Sequence, residues 1–210
     1  MKMVRRVILL ILITSVAVPA AAFAVVWNQA AAAIERSEAV GTLRHPRSDS
    51  DLTVAERAVA IAEFESTWNV RNDPCRSIAQ LWNTATHSGT PPPGMPVSSR
   101  LAATILMEVE QERSLRLQFV RLFADCQLEQ RYSDTQMLRA WLSNAHFGAG
   151  SFGIENAAQS LFGKYAADLS AWESAKLAAL LRTPRLRNDP ESWSERATFV
   201  ADRVATSNLP

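Results

Sequence analysis

The amino-acid sequence predicts an all-α, or mostly α, fold. No segment shows the strict alternation of apolar and polar residues that is typical of a half-buried strand. Apolar residues instead recur at helical spacing, as they do between Leu115 and Cys126. Three capping-box sequences, which mark helix starts, begin at Thr53, Ser133 and Ser170. We therefore expect a series of helices packed around one core.

The first predicted element is an apolar helix at the N-terminus. Three basic side chains lie within residues 1–6, and an uncharged apolar run covers residues 7–27. At about 1.5 Å per residue, a helix of that length spans roughly 30 Å, the thickness of a bilayer core. The pattern predicts a cytoplasmic N-terminus at 1–6 and a transmembrane signal-anchor helix at 7–27. The alternative is a cleaved signal peptide, with Ala22, Phe23 and Ala24 as its cleavage site.

The rest of the chain lies outside the cytoplasm in both interpretations. Residues 28–50 begin with the Ala-rich sequence NQAAAAIERSEAV and end in a polar segment, so they are predicted to form a juxtamembrane helix and a linker. Residues 51–210 have the size of a single domain with a substantial core. The formal net charge of +1 gives no support for nucleic acid as a partner.

Local signals place the first helices of this domain. The capping box at Thr53 opens a helix that runs to about Trp68, and Asp73, which precedes a proline, opens a second. Residues 87–96 contain four prolines and are predicted to form an exposed loop, because proline has no amide donor and disfavours helix before it. Helical structure is predicted to resume over about 98–130.

The C-terminal helices follow from the same kinds of signal. The capping box at Ser133 opens a helix that ends in a glycine-rich turn, and a short helix is predicted over 154–162. The capping box at Ser170 opens another helix, which Pro184 stops. A last helix is predicted over about 192–206.

The cysteines and histidines offer few candidate sites. Cys75 and Cys126 lie in the exported part, where disulfides persist, so a disulfide between them is expected. The alternative is two buried thiols that do not meet. His45, His87 and His146 lie far apart in the sequence without ligand spacing, and no metal site is predicted.

The tryptophans divide into two groups. Trp141 and Trp172 occupy helical positions that are predicted to lie in the core or at its edge. Trp68, Trp82 and Trp193 remain candidates for stacking against sugar rings.

Residues 141–164, WLSNAHFGAGSFGIENAAQSLFGK, hold four of the seven glycines and carry a family resemblance. Together with DLSAWESAKLAALLRTPRLRNDP and ERATFVADRV, they follow three motifs nearly without gaps: YLNxxYFGxGAYGxEAAAQxYFGK, LTLAEAALLAGLPKAP and an ER...V helix. These motifs belong to glycosyltransferase family 51, which the chain resembles. That family comprises the peptidoglycan glycosyltransferase module of class A penicillin-binding proteins and the monofunctional membrane-anchored glycosyltransferases. The glycines themselves are predicted to build a sharp turn between helices.

The resemblance implies a fold, a reaction and a location. The fold is lysozyme-like and mostly helical. In the reaction, the 4-hydroxyl of lipid II attacks the anomeric carbon of a glycan chain that is linked to a lipid pyrophosphate. This chemistry needs a general base, and cations from Lys, Arg or Mg²⁺ to hold the pyrophosphate. The implied location is the bacterial inner membrane, crossed once, with the domain in the periplasm.

The resemblance also points to the base. Family members take it from a Glu-Asp pair in a motif like AIEDRRFYEHHG, and the counterpart here is AIAEFESTWNVRND, which starts at Ala60. Its best-placed acid is Glu63, with Phe64 at the position of the Asp. Glu65 is the alternative. Residues two apart on a helix differ by about 200° in direction, so Glu63 and Glu65 are not expected to act as a carboxylate pair.

The cationic positions of the family are largely replaced. The motif GGSTITQQLAKN falls on PGMPVSSRLAAT, which puts Arg100 at the position of a Gln and Ala103 at that of the Lys. Arg121 falls at the position of the second catalytic Glu. Arg100, Arg116 and Arg121 are therefore the candidates for binding the pyrophosphate.

Three hypotheses follow. The first is a degenerate member that keeps the fold and binds lipid II, a peptidoglycan strand or a cell-wall synthase. The second is an active, divergent glycosyltransferase with Glu63 as base, for which Mg²⁺ is the expected cofactor. The third is a lysozyme-like enzyme that cleaves glycan with Glu63 or Glu65 as general acid, its pKa raised by apolar surroundings.

Overall fold

The computed structural model describes residues 2–44, 52–64, 96–109, 115–148 and 150–207. Within these ranges the regular structure is helical, and the only other feature is an antiparallel bridge between His146 and Phe152. The all-α prediction is therefore confirmed for this part of the chain. The lysozyme-like topology stays a prediction.

The helices lie close to the predicted positions. We number those of the described ranges α1 Lys2–Arg36, α2 Gly41–Arg44, α3 Val54–Phe64, α4 Val97–Val109, α5 Leu115–Arg131, α6 Asp134–Leu142, α7 Ile154–Phe162, α8 Ala171–Arg182 and α9 Pro190–Thr206. Short 3₁₀ helices cover Glu38–Val40, Ala166–Asp168 and Pro184–Asn188.

All three predicted capping boxes are present. The amide of Thr53 donates to the Glu56 carboxylate at 2.8 Å, and the amide of Glu56 donates to the Thr53 hydroxyl at 3.2 Å. Ser133 and Ser170 form the same reciprocal pattern at the starts of α6 and α8, with Gln136 and Glu173 as their partners. These side chains satisfy amides that the first turn of a helix leaves without a partner.

The C-terminal half of α1 is part of the core. Ala30, Ala33 and Ile34 are buried. The Trp27 carbonyl accepts a hydrogen bond of 2.9 Å from the side-chain Nε2 of Gln127 on α5. Residues that the sequence predicts to be a juxtamembrane helix therefore pack against the domain. Among the described residues, no helix has both the length and the hydropathy needed to cross a membrane. The anchor at 7–27 stays a prediction.

The core is formed by helices that meet around α3 and α8. Helix α8 packs between α3 and α9, while α4 packs against both α5 and α6. The largest fully buried apolar side chains are Ile34, Leu101, Ile105, Leu128, Met137, Leu138, Leu142, Leu177 and Leu180. This arrangement brings the end of α3 close to side chains of α4 and α6.

The glycine-rich segment forms the predicted turn between α6 and α7. Gly148 and Gly153 have φ values of +91° and +85°, which side-chain-bearing residues rarely adopt. A Cβ atom at Gly148 would lie 2.7 Å from the Cβ of Pro184, and one at Gly153 would lie 2.7 Å from the Ser143 carbonyl oxygen. Glycine is therefore required at both positions, because it adopts this backbone conformation and because no Cβ atom fits there.

Several predictions fall outside the described residues, including Glu65, Cys75 and most of the loop at 87–96. No disulfide is present among the residues that the structure describes, and Cys126 is half-buried on α5. Because Cys75 lies outside the described residues, the Cys75–Cys126 disulfide stays a prediction. Trp141 is buried, as predicted. Trp172 is 43% exposed, which agrees with the edge of the core and not with its interior.

Candidate functional site

The predicted base, Glu63, lies in the last turn of α3. Its side chain is only 8% exposed, and its neighbours Ala60, Ile61 and Ala62 are buried in the core. A carboxylate with so little contact with water needs a partner, because burial of an uncompensated charge is costly. The partner is Arg100 on α4, whose Nη1 donates to Oε1 of Glu63.

Arg100 is held from two sides. Its guanidinium carbon lies 5.6 Å from the ring centroid of Trp141 on α6, within the range of a cation–π contact. Its own side chain is 24% exposed, so the guanidinium lies between the buried carboxylate and the surface. The candidate base and a candidate pyrophosphate ligand are therefore bound to each other.

Arg121 lies on the neighbouring helix α5 and contacts the same segment of α4. Its Nη2 donates to the carbonyl of Ser99 at 3.3 Å, and Ser99 directly precedes Arg100. Burial lowers the pKa of Arg121, whereas the carboxylate of Asp125 raises it. The guanidinium remains a cation, because the ordinary pKa of arginine lies far above neutral pH.

The third candidate, Arg116, makes its described contact elsewhere. It is exposed, and its Nε donates to Oε1 of Gln29 on α1 at 3.1 Å. The structure thus links Arg100 and Arg121 through Ser99, while Arg116 links α5 to α1.

Sequence reasoning missed the polar side chains that support these arginines. The Ser99 hydroxyl donates to the buried carboxylate of Asp125, and the Ser98 hydroxyl donates to Glu129 at 2.9 Å. These bonds join α4 to α5 at successive residues and fix the helices against each other. The available signal was the spacing of Arg121 and Asp125, which are four residues apart on one helix and so face the same side.

The described residues do not form a metal site. They contain no group of three or more His, Cys, Asp or Glu side chains that could hold a metal ion. The described partner of Glu63 is the guanidinium of Arg100, and guanidinium does not ligate Mg²⁺.

The arrangement is suited to an exchange of anions on Arg100. Guanidinium binds carboxylate and phosphate with the same planar set of donors. A pyrophosphate that reached Arg100 would therefore compete with Glu63 for it. Before that exchange, Oε1 of Glu63 is engaged by a cation, which makes the carboxylate a weaker base towards an incoming hydroxyl.

Comparison with known proteins identifies the family. The family model described as "Transglycosylase" matches residues 47–205, which is most of the chain. The match begins soon after α2 and ends in the last turn of α9, so it includes the Glu63–Arg100 pair and the glycine-rich turn.

Curated relatives agree with this match. A biosynthetic peptidoglycan transglycosylase of Burkholderia thailandensis is 29% identical over 160 residues, covering 74% of this chain and 61% of its own length. One from Burkholderia pseudomallei is 27% identical over 184 residues, covering 84% of this chain and 71% of its own. Penicillin-binding protein 2a of Streptococcus pneumoniae is 31% identical over 120 residues, which are 55% of this chain but only 16% of that protein. The chain belongs to the transglycosylase family, glycosyltransferase family 51.

Proposed function

We propose that this protein acts in peptidoglycan assembly as a degenerate family member, one that binds lipid-linked glycan without polymerising it. The observation that carries the proposal is the ion pair between Glu63 and Arg100. The family relationship supports a glycan or lipid II as the ligand.

The ion pair argues against Glu63 as a working base. A general base must lie within hydrogen-bond reach of the proton that it removes, with a lone pair directed at it. Glu63 is 8% exposed and points an oxygen at Arg100. Any reaction would first have to separate the two charges, one of which is buried, and this adds to the barrier.

The surrounding residues lack further parts of the family's machinery. Ala103 stands on α4 at the position of the pyrophosphate-binding Lys, and Arg121 stands on α5 at that of the second Glu. The loss of a cation weakens stabilisation of a doubly charged leaving group. Arg100 and Arg121 still supply positive charge on adjacent helices, which favours binding over departure of the pyrophosphate.

An active, divergent glycosyltransferase is the second candidate. The observation that favours it is that the group bound to Glu63 is itself an anion receptor. If pyrophosphate takes over Arg100, the carboxylate of Glu63 is released at the moment when substrate arrives. Substrate binding would then create the base.

We also propose the outer face of the bacterial inner membrane as the location, with cell-wall synthases as protein partners. The support is the sequence pattern of residues 1–27, in which basic residues precede an uncharged apolar run. Fractionation of cells into membrane and soluble parts, before and after a carbonate wash, tests this placement.

The test of function separates binding from polymerisation. The full-length protein in detergent with Mg²⁺ is incubated with lipid II, and products are resolved on a gel beside those of Glu63→Gln. The proposal predicts that the wild type binds lipid II and makes no polymer. Polymer that disappears with Glu63→Gln would establish the active alternative instead. If lipid II does not bind at all, neither candidate function holds for this ligand.

A gain-of-function variant sharpens the test. Ala103→Lys combined with Arg121→Glu restores two family residues on α4 and α5. If the scaffold has only lost its machinery, this variant should make some polymer where the wild type makes none. Arg121→Gln with Ala103→Lys is the matched control, because it removes the same guanidinium but supplies no acid.

A further inference from the structure

A second surface, formed by α8 and α9, carries aromatic rings and cations. The ammonium of Lys176 lies 5.6 Å from the ring centroid of Trp172 and 5.1 Å from that of Trp193. Trp193 is fixed in place, since its Nε1 donates to the Lys176 carbonyl at 2.8 Å. The result is a cation set between two indole rings, one of which is 43% exposed.

The same pattern continues along α9. Phe199 is 46% exposed and lies between two arginines: the guanidinium carbons of Arg196 and Arg203 are 4.9 Å and 5.4 Å from its ring centroid. We call the set Trp172, Lys176, Trp193, Arg196, Phe199 and Arg203 the aromatic–basic surface. None of these residues belongs to the Glu63–Arg100 pair.

The basic and acidic side chains of α9 point in different directions around the helix axis. At about 100° per residue, Arg196 and Arg203 differ by roughly 20°. The acidic residues of the helix, Glu191, Glu195 and Asp202, lie together roughly 100° away from them. Among the described residues, no ion pair joins Lys176, Arg196 or Arg203 to a carboxylate. In the described part of the chain, these three cations therefore have no carboxylate partner that would compete with an anionic ligand.

The fold does not require this surface. The family motif LTLAEAALLAGLPKAP has Ala at the position of Trp172 and Leu at that of Lys176. This chain places a large ring and a charge there, on the outside of α8, where they add little to the core. An exposed tryptophan next to a cation is more typical of a recognition surface than of a packing position.

We propose that the aromatic–basic surface binds an anionic glycan, namely a lipid-free peptidoglycan strand with carboxylate groups. Aromatic rings offer flat apolar faces to the C–H faces of sugars, and the cations match the carboxylates. Trp193 and Phe199 are six residues apart, which corresponds to roughly 9 Å along the axis of α9 and to roughly 120° around it. Arg196 lies midway between them in direction, so a strand that contacts both rings also passes over its guanidinium.

The surface chemistry favours a glycan over a lipid bilayer. A helix that lies in a membrane interface has a broad apolar face directed at the acyl chains. Of the five residues between Trp193 and Phe199 in the sequence, only Ala197 is apolar, and it is buried. The choice of a glycan rests on the proposed function, whereas the surface itself is separate from the site that would hold lipid II.

Binding of labelled glycan strands to the full-length protein in detergent tests the inference. The strands are released from peptidoglycan enzymatically, so they carry no lipid, and a second sample has its carboxylates converted to amides. The variants are Trp172→Ala with Lys176→Leu, which installs the motif residues, and Arg196→Ser with Arg203→Ser. Phe119→Ala with Arg131→Ala, an exposed ring and an exposed cation on α5, is the matched control.

We expect each surface variant to weaken binding at least tenfold, and the control to leave it unchanged. Amidation of the strands should weaken binding by a similar factor. Equal binding by wild type and surface variants overturns the inference, as does binding of phosphatidylglycerol vesicles that depends on these residues while strands do not bind. Circular dichroism verifies that each variant is folded.

A parallel measurement separates this inference from the proposed function. Lipid II binding is measured with Arg100→Ala and with the surface variants. If the wild type binds glycan strands but not lipid II, the proposed function is contradicted and the inference about the aromatic–basic surface is not. Strand binding that depends on Arg100 and not on Trp172 or Lys176 contradicts the surface.

Discussion

Arg100 and Glu63 are 37 positions apart in the sequence and form an ion pair in which the carboxylate is almost completely buried. Arg100 belongs to α4 and Glu63 to the end of α3, so their pairing depends on how these helices are held by the rest of the core. In this pair, the candidate base is bound to a cation that a phosphate ligand would also bind. Its energetics can be measured separately from its function.

Removal of Arg100 should destabilise the protein more than neutralisation of Glu63. Arg100→Ala leaves a buried carboxylate without this cation, and we expect a loss of about 2 to 3 kcal/mol in the free energy of unfolding, somewhat reduced because the arginine is partly exposed. Glu63→Gln retains an oxygen that can accept from Arg100, and should cost about 1 kcal/mol. Urea denaturation gives both values.

The double variant Arg100→Ala with Glu63→Gln provides the control. If the cost of Arg100→Ala comes from the stranded carboxylate, the double variant should be more stable than Arg100→Ala alone by about 1 kcal/mol or more. Strict additivity of the two single changes would show that the pair contributes no coupling energy.

The parts of the fold that could be predicted from sequence are those set by local interactions. The capping boxes at Thr53, Ser133 and Ser170 involve residues three apart, and all three form. The turn around Gly148 depends on backbone conformation, which glycine indicates directly. For these features, the sequence neighbours are also the neighbours in space.

The candidate site could be predicted only in part, because its contacts join distant segments. Glu63 and Arg100 were each identified through the family motifs, yet their mutual pairing follows from helix packing and has no local signal. The same is true of Gln127, which binds the carbonyl of Trp27 and draws α1 into the core. Trp172 has helical spacing that suits a core position, but the packing of α8 between α3 and α9 leaves it outside.

Two alanine substitutions in the glycine-rich turn should separate the cost of backbone strain from the cost of a steric clash. Gly150→Ala places a Cβ in open space at φ +76°, so only the strain of a left-handed backbone applies, about 1 kcal/mol. Gly148→Ala adds a contact of 2.7 Å to the Cβ of Pro184, and should cost about 3 kcal/mol in total. Thermal unfolding of the two variants compares them, and equal losses would mean that the 3₁₀ segment of Pro184 yields at no cost.

A buried hydroxyl on α8 should be dispensable. Ser174 is fully buried, and its Oγ has no hydrogen-bond partner in the described part of the chain. Because an unsatisfied buried hydroxyl is costly, Ser174→Ala should stabilise the protein by about 1 kcal/mol. Ser98→Ala is the matched control: Ser98 is equally buried but donates to Glu129, so its loss should destabilise by a similar amount. Destabilisation by Ser174→Ala, measured by urea denaturation, would contradict this.

Glu173 should make the stability of α8 sensitive to acid. The hydrogen bond from Lys164 and those from Ser170 lower its pKa from 4.5 to about 2. The unfolded chain therefore binds a proton at higher pH than the folded protein does, and ionised Glu173 stabilises the fold. This contribution is complete above pH about 4.5 and is lost as the pH falls towards 2.

Glu173→Gln removes the charge and retains the capping box, since Gln136 plays the same part at the start of α6. The melting temperature of the wild type should exceed that of Glu173→Gln by a constant amount between pH 7 and about 5, and the difference should shrink steadily below that. Lys164→Met is the control, because it removes the largest cause of the pKa shift and should weaken the same acid dependence. A difference between wild type and Glu173→Gln that stays constant down to pH about 3 would mean that the Lys164–Glu173 pair does not couple to folding, since protonation would then leave stability unchanged.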